Sequence, residues 1–408
     1  MIRITSCLPI LIVFLFGTTT VTLGRNSEVD TVKNLLRDLK NPRYEVAWSA
    51  PGELSAFPQY KSQIVPGLIE ALQYEWDNCS GDIRDAIAST LLGLKAKESV
   101  FPLLELLRSG KNIEHECAEC GCCFLVLTPA DELVYRYFDP FCETNVLTAI
   151  YQMADFSHSK AIADIISEGK GKPGLIMVLG KVGLPRYAYF ISQYKDNEAV
   201  GVRVEVAVAL GLIENDDITI PVLVQLLTKR NEDFYVRWEA SNSLIKIGKR
   251  NGNQFLKSRL MNLLDEEDKM SGVLAARILG FLGQEKGLLK LRSMANDEDA
   301  KIRSEAVMYL GEVSDAGSKD ILIKNLKDES LVVRACAMYA LGQIGDVSMV
   351  PILKKGFENS ETYQTELEKK IVGGANAEII RQKYGYQVFD LRETMQRAIE
   401  GIQERASK

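Results

Sequence analysis

Histidine is nearly missing from this chain, with His115 and His158 the only two in 408 residues. That excludes any centre built on several imidazoles, such as the multi-histidine zinc sites. An excess of one charge is also missing: 49 basic side chains face 55 acidic ones, for a net charge of -6. Such a chain as a whole attracts neither nucleic acid nor an anionic lipid surface. No Gly-x-Ser-x-Gly elbow, no His-Glu-x-x-His helix and no Gly-Lys-Ser/Thr phosphate loop occurs in it, so the common catalytic motifs are absent. Paired carboxylates such as Asp216-Asp217 and Glu266-Glu267 fall between helical segments, where solvated turns account for them. What is present in quantity is apolar residue, 46% of the chain against 25% charged, which is enough to bury a real core.

Long hydrophobic runs are confined to the N-terminus. Residues 1–24 carry one cation, Arg3, then the run Leu8-Pro9-Ile10-Leu11-Ile12-Val13-Phe14-Leu15-Phe16, then small residues through Thr22 to Gly24. This is the layout of a secretory signal peptide, and the run is too short to span a bilayer as a helix. Cys7 precedes the run, which argues against a lipid attachment site. The expectation is a mature, mildly acidic protein that is exported, periplasmic or secreted, with no membrane span.

Beyond residue 24 the strongest signal is self-similarity. The frame Val-Arg-x-Glu-Ala followed by Leu-Gly recurs about every 31 residues, with arginines at Arg84, Arg203, Arg237, Arg303 and Arg334. Six residues before each stands Asn78, Asn197, Asn231, Asp297 or Asp328. Leu-Gly pairs follow at Leu92-Gly93, Leu210-Gly211, Leu310-Gly311 and Leu341-Gly342, and Leu179-Gly180 and Leu279-Gly280 mark units whose arginine has drifted. The Asn/Asp reads as a helix N-cap, the Ala-rich run as a first helix with a narrow packing face, and the glycine as its C-terminal stop. Pro66, Pro102, Pro221 and Pro351 stand near the first turn of a second helix, where a missing N–H costs nothing. One such pair cannot hide both apolar faces, so the units must stack into an all-α solenoid.

This frame resembles HEAT-type repeats, in particular the short HEAT-like class found in phycobilin lyases. The resemblance covers about nine helical pairs over roughly residues 28–360. It is clear from 172 onward and weak before 80. It implies that the Asp and Arg of neighbouring units bond along the stack, which would make Asn78, Arg84, Asn197, Arg203, Asn231, Arg237, Asp297, Arg303, Asp328 and Arg334 a structural ladder. The expected domains are a signal peptide (1–24), a solenoid (25–360) with an insertion at 110–138, and a C-terminal helical cap (361–408). In the cap, Leu391, Met395, Ala398 and Ile402 share one helical face after the Gly373-Gly374 break.

The insertion concentrates cysteine. Cys79, Cys117, Cys120, Cys122, Cys123 and Cys142 lie within 64 residues, and two β-branched and aromatic runs flank Pro129-Ala130-Asp131 as a β-hairpin would. In an exported protein an even cluster reads first as three disulfides of unassigned connectivity. Two alternatives stay open: a metal site using His115, Cys117, Cys120, Cys122 and Cys123, and thiol redox chemistry at the same cluster. Cys336 sits two residues after Arg334, where sister units have Glu205, Glu239 and Glu305, and this register predicts a partly exposed side chain against the simpler reading of a packing cysteine.

Similar scaffolds do perform chemistry. The di-iron HEAT-like hydroxylases use repeated His-Glu pairs, whereas this chain has only His115-Glu116; phycobilin lyases work inside the cell, which a signal peptide opposes. No catalytic constellation and no cofactor is expected. The reading is a non-enzymatic scaffold that binds another protein or peptide, with metal binding or thiol redox at Cys117–Cys123 as the alternative. The candidate surfaces are the insertion and a groove lined by second helices, where Lys257, Lys290, Lys324 and Lys354 would form a basic stripe.

Overall fold

The computed structural model describes residues 25–76, 80–110, 145–169, 174–252, 254–360 and 391–407. Helices and short 3-10 turns make up the described residues, with no strand among them; the cysteine-rich hairpin falls outside the described residues.

Nine helix pairs follow one another in the described residues. They are α2 (Tyr44–Leu54) with α3 (Lys61–Ala71), α4 (Ser80–Gly93) with α5 (Val100–Ser109), and α6 (Asn145–Met153) with α7 (Ser159–Ser167). Next come α8 (Leu175–Val182) with α9 (Tyr187–Ser192), α10 (Val200–Leu212) with α11 (Asp216–Thr228), and α12 (Phe234–Asn251) with α13 (Gln254–Leu263). The last three are α14 (Lys269–Phe281) with α15 (Glu285–Met294), α16 (Ala300–Glu312) with α17 (Lys319–Asn325), and α18 (Leu331–Ile344) with the helical stretch 350–360, α19. Helix α1 (Arg25–Asp38) precedes the pairs and α20 (Leu391–Ala406) follows them. A single apolar core runs the length of the array, from Val32 to Ile402.

The first helices form the tight layer. In most steps each packs broadly on the first helix of the next unit, whereas successive second helices touch sparsely. A stack whose two layers differ in spacing must bend toward the closer one, so the first helices line the inner side and the second helices the outer side. The Leu-Gly glycine explains how the inner layer closes up. A Cβ on Gly311 would stand 2.5 Å from the Ala340 Cα, one on Gly180 2.6 Å from the Ala209 Cα, and one on Gly342 2.6 Å from the Ala398 Cβ. At these three positions its role is close approach of neighbouring helices and not the helix stop that the sequence suggests, whereas Gly93, the last residue of α4, has nothing within 4 Å of a built Cβ; the glycine that ends a helix in a left-handed turn is found elsewhere, as Gly252 does after α12 with φ 58°.

Capping also differs from expectation. The residue whose side chain caps α16 is Asp299, accepting from the Lys301 N–H, and Asp233 and Asp268 do the same for α12 and α14. The repeated Asn/Asp lies two residues earlier and folds the approach to the helix: Asp297, Asp328 and Asn197 accept the backbone N–H two residues on, at 2.9, 2.8 and 2.9 Å. Asn231 takes the left-handed conformation, φ 61°, that asparagine tolerates.

The arginines tie the units together. Arg303 donates through Nη1 to the Asp297 and Glu298 carbonyls, both at 2.9 Å, and through Nε and Nη2 to the two oxygens of Asp328 in the next unit, again both at 2.9 Å. Arg203 repeats this with the Asn197 carbonyl and with Glu232, which substitutes for the shorter Asn231; Arg237 reaches Asp268 and Ser271. Arg84 donates to the Leu72 and Tyr74 carbonyls, and Arg334 to the Asp328 carbonyl. Asn78 lies outside the described residues. Forked guanidinium pairing of the Arg303–Asp328 kind fixes orientation as well as attraction between the two units it joins.

Candidate functional site on the first-helix face

The inner side of α12 to α18 carries a cluster that a plain packing layer would not need. At its centre is Arg277 of α14, only 5% exposed. By the Leu279-Gly280 register it holds the position that Met308 holds in α16, so a charge interrupts an otherwise apolar run, Val273 to Leu279. Its guanidinium carbon lies 4.0 Å from the Trp238 ring centroid, 5.2 Å from that of Tyr309 and 5.3 Å from that of Phe281. Nε donates to Glu312 at 2.8 Å and Nη1 to the Ser241 hydroxyl at 2.8 Å. The rings of Trp238 and Tyr309 are stacked with centroids 5.7 Å apart. One cation thus joins three successive first helices, through cation–π contact on α12 and α16 and an ion pair to α16.

The carboxylates around it are held in unusual surroundings. Glu305 is buried, one of its oxygens lacks a hydrogen-bond partner among the described residues, and so does the fully buried Tyr309 hydroxyl beside it. Burial raises the Glu305 pKa above its ordinary value, with the Tyr309 phenol opposing, and burial next to Glu305 pushes Tyr309 well up. Burial likewise raises Tyr339 of α18, which is nonetheless 38% exposed on this face. Glu205, at the equivalent place on α10, is buried as well. Two residues after the repeat arginine, Glu205, Glu305 and Cys336 are interior and Glu239 is half-buried, which corrects the expectation of a partly exposed Cys336: its side chain is 3% exposed and belongs to the core, as the simpler reading of a packing cysteine had it.

In front of Arg277 a cleft of about 440 Å³ opens between α12 and α14, lined by Glu239, Asn242, Ile245, Lys246, Arg277 and Phe281. Glu239, Asn242 and Lys246 lie along one face of α12, and none of the three has a hydrogen bond or ion pair to a described residue. Lys249 sits over the Phe281 ring at 4.8 Å and closes the far end.

The other predicted positions do not assemble into a site in the described residues. Lys257, Lys290, Lys324 and Lys354 stand on the second helices α13, α15, α17 and α19, the sparsely packed layer. Lys290 is bound to Asp265 at 2.9 Å and Lys324 to the Asn296 side chain at 2.7 Å, so the stripe is interrupted by its own neighbours. Cys79, Cys117, Cys120, Cys122, Cys123, Cys142 and His115 lie outside the described residues. His158 is buried at the start of α7, where it completes a capping box with Asp155. Among the described residues no group of three or more His, Cys, Asp or Glu is placed to hold a metal ion, and no helix is long and apolar enough to cross a membrane.

Comparison with known proteins agrees with the repeat. The family described as HEAT repeats matches residues 257–331 and 288–366. The match covers residues 257–366, and helix pairs of the same build continue on its N-terminal side, so the described residues form an all-α array of repeated helix pairs whose C-terminal part is similar to HEAT repeats. No curated protein sequence matches it. Among solved structures, an engineered protein is 20% identical over 53% of this chain and 96% of its own, with a TM-score of 0.30. The complex of CpcE and CpcF of phycocyanin lyase from Nostoc sp. PCC7120 is 14% identical over 79% of this chain and 92% of that one, with a TM-score of 0.26. Kap121p is 12% identical, with 93% of this chain and 46% of that one covered and a TM-score of 0.40.

Proposed function

We propose that this is an exported, non-enzymatic HEAT-repeat scaffold that binds another protein through the inner, first-helix face. One observation carries the reading: Glu239, Asn242 and Lys246 line an open cleft with none of their polar groups used inside the described fold. These side chains keep their polar groups for solvent in the isolated chain and are free to meet a ligand that enters the cleft. Half-buried Trp238 on α12 and, further along the first-helix layer on α18, exposed Tyr339 are residue types that dominate binding energy at interfaces. Export rests on the signal-peptide layout of residues 1–24 and on the crowding of six cysteines between 79 and 142.

Fractionation of the native source, with mass spectrometry of the recovered chain, tests export: the account expects a mature N-terminus near residue 25 and disulfide-linked peptides from the cysteine cluster. Cytosolic recovery of the unprocessed chain would contradict it. Stoichiometric zinc or copper with free thiols at Cys117 and Cys120 would favour the second reading, metal or thiol chemistry at Cys117–Cys123. Affinity capture with the tagged protein tests the face: Glu239→Lys with Tyr339→Asp should lose the partner while the circular dichroism melt stays that of wild type.

A further inference from the structure

The cleft between α12 and α14 has a polarity that specifies more than a generic contact. Along α12 an unpartnered carboxylate, an unpartnered amide and an unpartnered ammonium follow in order as Glu239, Asn242 and Lys246. At 1.5 Å per residue, Glu239 and Lys246 stand about 10 Å apart along the helix axis, with Asn242 between them. The opposite wall is Arg277 and Phe281 of α14, and the floor is apolar at Ile245, which is 8% exposed. Arg277 is already paired with the Glu312 carboxylate and held by Ser241, which leaves Lys246 as the unpaired cation of the cleft among the described residues. Nor does Lys249 compete for Glu239, since it is held over the Phe281 ring at 4.8 Å.

We infer that this cleft takes an extended peptide segment of another protein carrying a basic and an acidic residue three positions apart, the base on Glu239 and the acid on Lys246. The inference deepens the proposed function and rests on it. Extended and polyproline-II chains advance about 3.1–3.4 Å per residue, so three residues cover the same ~10 Å, and in polyproline II side chains three apart return to the same side. The Asn242 amide offers one acceptor and two donors, the complement of a peptide unit's N–H and C=O, and so suits the backbone between the two charges. An apolar side chain in the segment's middle meets Ile245 and Phe281. Because the two charges are opposite, a uniformly basic or uniformly acidic segment leaves one end of the cleft facing its own sign, and opposite-charge complementarity of this kind sets partner choice.

The experiment uses the full chain labelled with ¹⁵N at the indoles of Trp48, Trp76 and Trp238, and three acetylated, amidated probes: Gly-Arg-Pro-Leu-Glu-Gly, Gly-Arg-Pro-Leu-Arg-Gly and Gly-Glu-Pro-Leu-Glu-Gly. Titration to millimolar peptide should shift the Trp238 indole signal and leave Trp48 unmoved, with the Arg/Glu probe binding at least tenfold tighter than either like-charged probe. Glu239→Lys should redirect preference to the Glu/Glu probe and Lys246→Glu to the Arg/Arg probe. Neither substitution touches the core, and retention of the three indole signals reports that the fold is intact. Equal binding of all probes, no binding of any, or variants that weaken all three alike would overturn the inference. If the probes fail while native partner capture is still abolished by the inner-face variants, the scaffold reading stands and this peptide class alone falls; if capture also survives those variants, both fall.

Discussion

Arg277 places a full charge within the first-helix layer, and its surroundings are shaped to hold it. Removing it strands Glu312 and Ser241 and opens the space between three rings, so Arg277→Ala should lower unfolding stability by roughly 3 kcal/mol, the low end of what breaking a buried pair costs. Chemical denaturation measures this, and a change below about 0.5 kcal/mol would mean the guanidinium is only a surface passenger. Glu305 makes a prediction of opposite sense. Its carboxyl titrates higher in the fold than in the unfolded chain, where the ordinary value is 4.5. The folded state therefore holds the proton more tightly, and its contribution to stability is lost as pH rises through the window above 4.5. Glu305→Gln should remove that loss, so the variant gains on wild type as pH goes from 4.5 toward neutrality. A stability difference that does not change with pH would contradict the assignment. Asp346 works the other way: the Ser348 hydroxyl and Lys319 hold its pKa down to about 2, so its contribution is lost as pH falls below 3.8 toward that value. Little of this was readable beforehand. The Arg277 charge inside an Ala-rich apolar run was a signal in the sequence, but Trp238, Tyr309 and Glu312 lie 39, 32 and 35 residues away along the chain and meet Arg277 only once the stack is formed.

At the scale of the element, the repeated glycine separates two physical roles. In α16 Gly311 lets α18 approach until a Cβ would stand 2.5 Å from the Ala340 Cα, and that neighbour is backbone, which cannot swing away. Gly311→Ala should destabilise by about 1–3 kcal/mol, the cost of overpacking. Gly52 lies inside α2 with nothing within 4 Å of its built Cβ, so Gly52→Ala should instead stabilise by about 0.5–1 kcal/mol through helix propensity. Thermal melts of the two variants should move in opposite directions; a fall in both would show that glycine here serves the backbone conformation and not the packing. Helix existence and the pair register were legible because the Leu-Gly spacing and the Asn/Asp-Arg offset are local. The roles of those residues were not, since a glycine before a turn reads as a stop whether or not a neighbouring helix presses on it. The N-cap was misplaced for a similar reason: Asp297 and Asp299 are both competent caps, and only the backbone shows that the second one takes the position.

For the whole molecule, the closer packing of first helices decides which surface is inside. The sequence predicted a groove on the second helices because their lysines recur, and the structure places those lysines on the sparsely packed outer layer. Curvature arises from the difference in spacing between layers, a property of contacts between units that no single unit's pattern contains. The C-terminal helix α20 occupies the place of the next first helix, with Ala398 against Gly342 just as Ala340 sits against Gly311. Deleting residues 391–408 would uncover the apolar face of α18 that α20 now buries, so the truncated chain should melt lower and self-associate in sedimentation. A truncated chain that stays monomeric with an unchanged melt would show that α20 is not part of the array.

The most direct test of the inner-face account is site-specific photo-crosslinking in the native compartment. A benzophenone side chain is placed in place of Tyr339 on the first-helix face, and separately in place of Phe255, which is 61% exposed on the second-helix layer. The account predicts a partner adduct from the Tyr339 position and none from the Phe255 position. Adducts from the Phe255 position, with the Tyr339 position silent, would put the binding surface on the outer layer and contradict it.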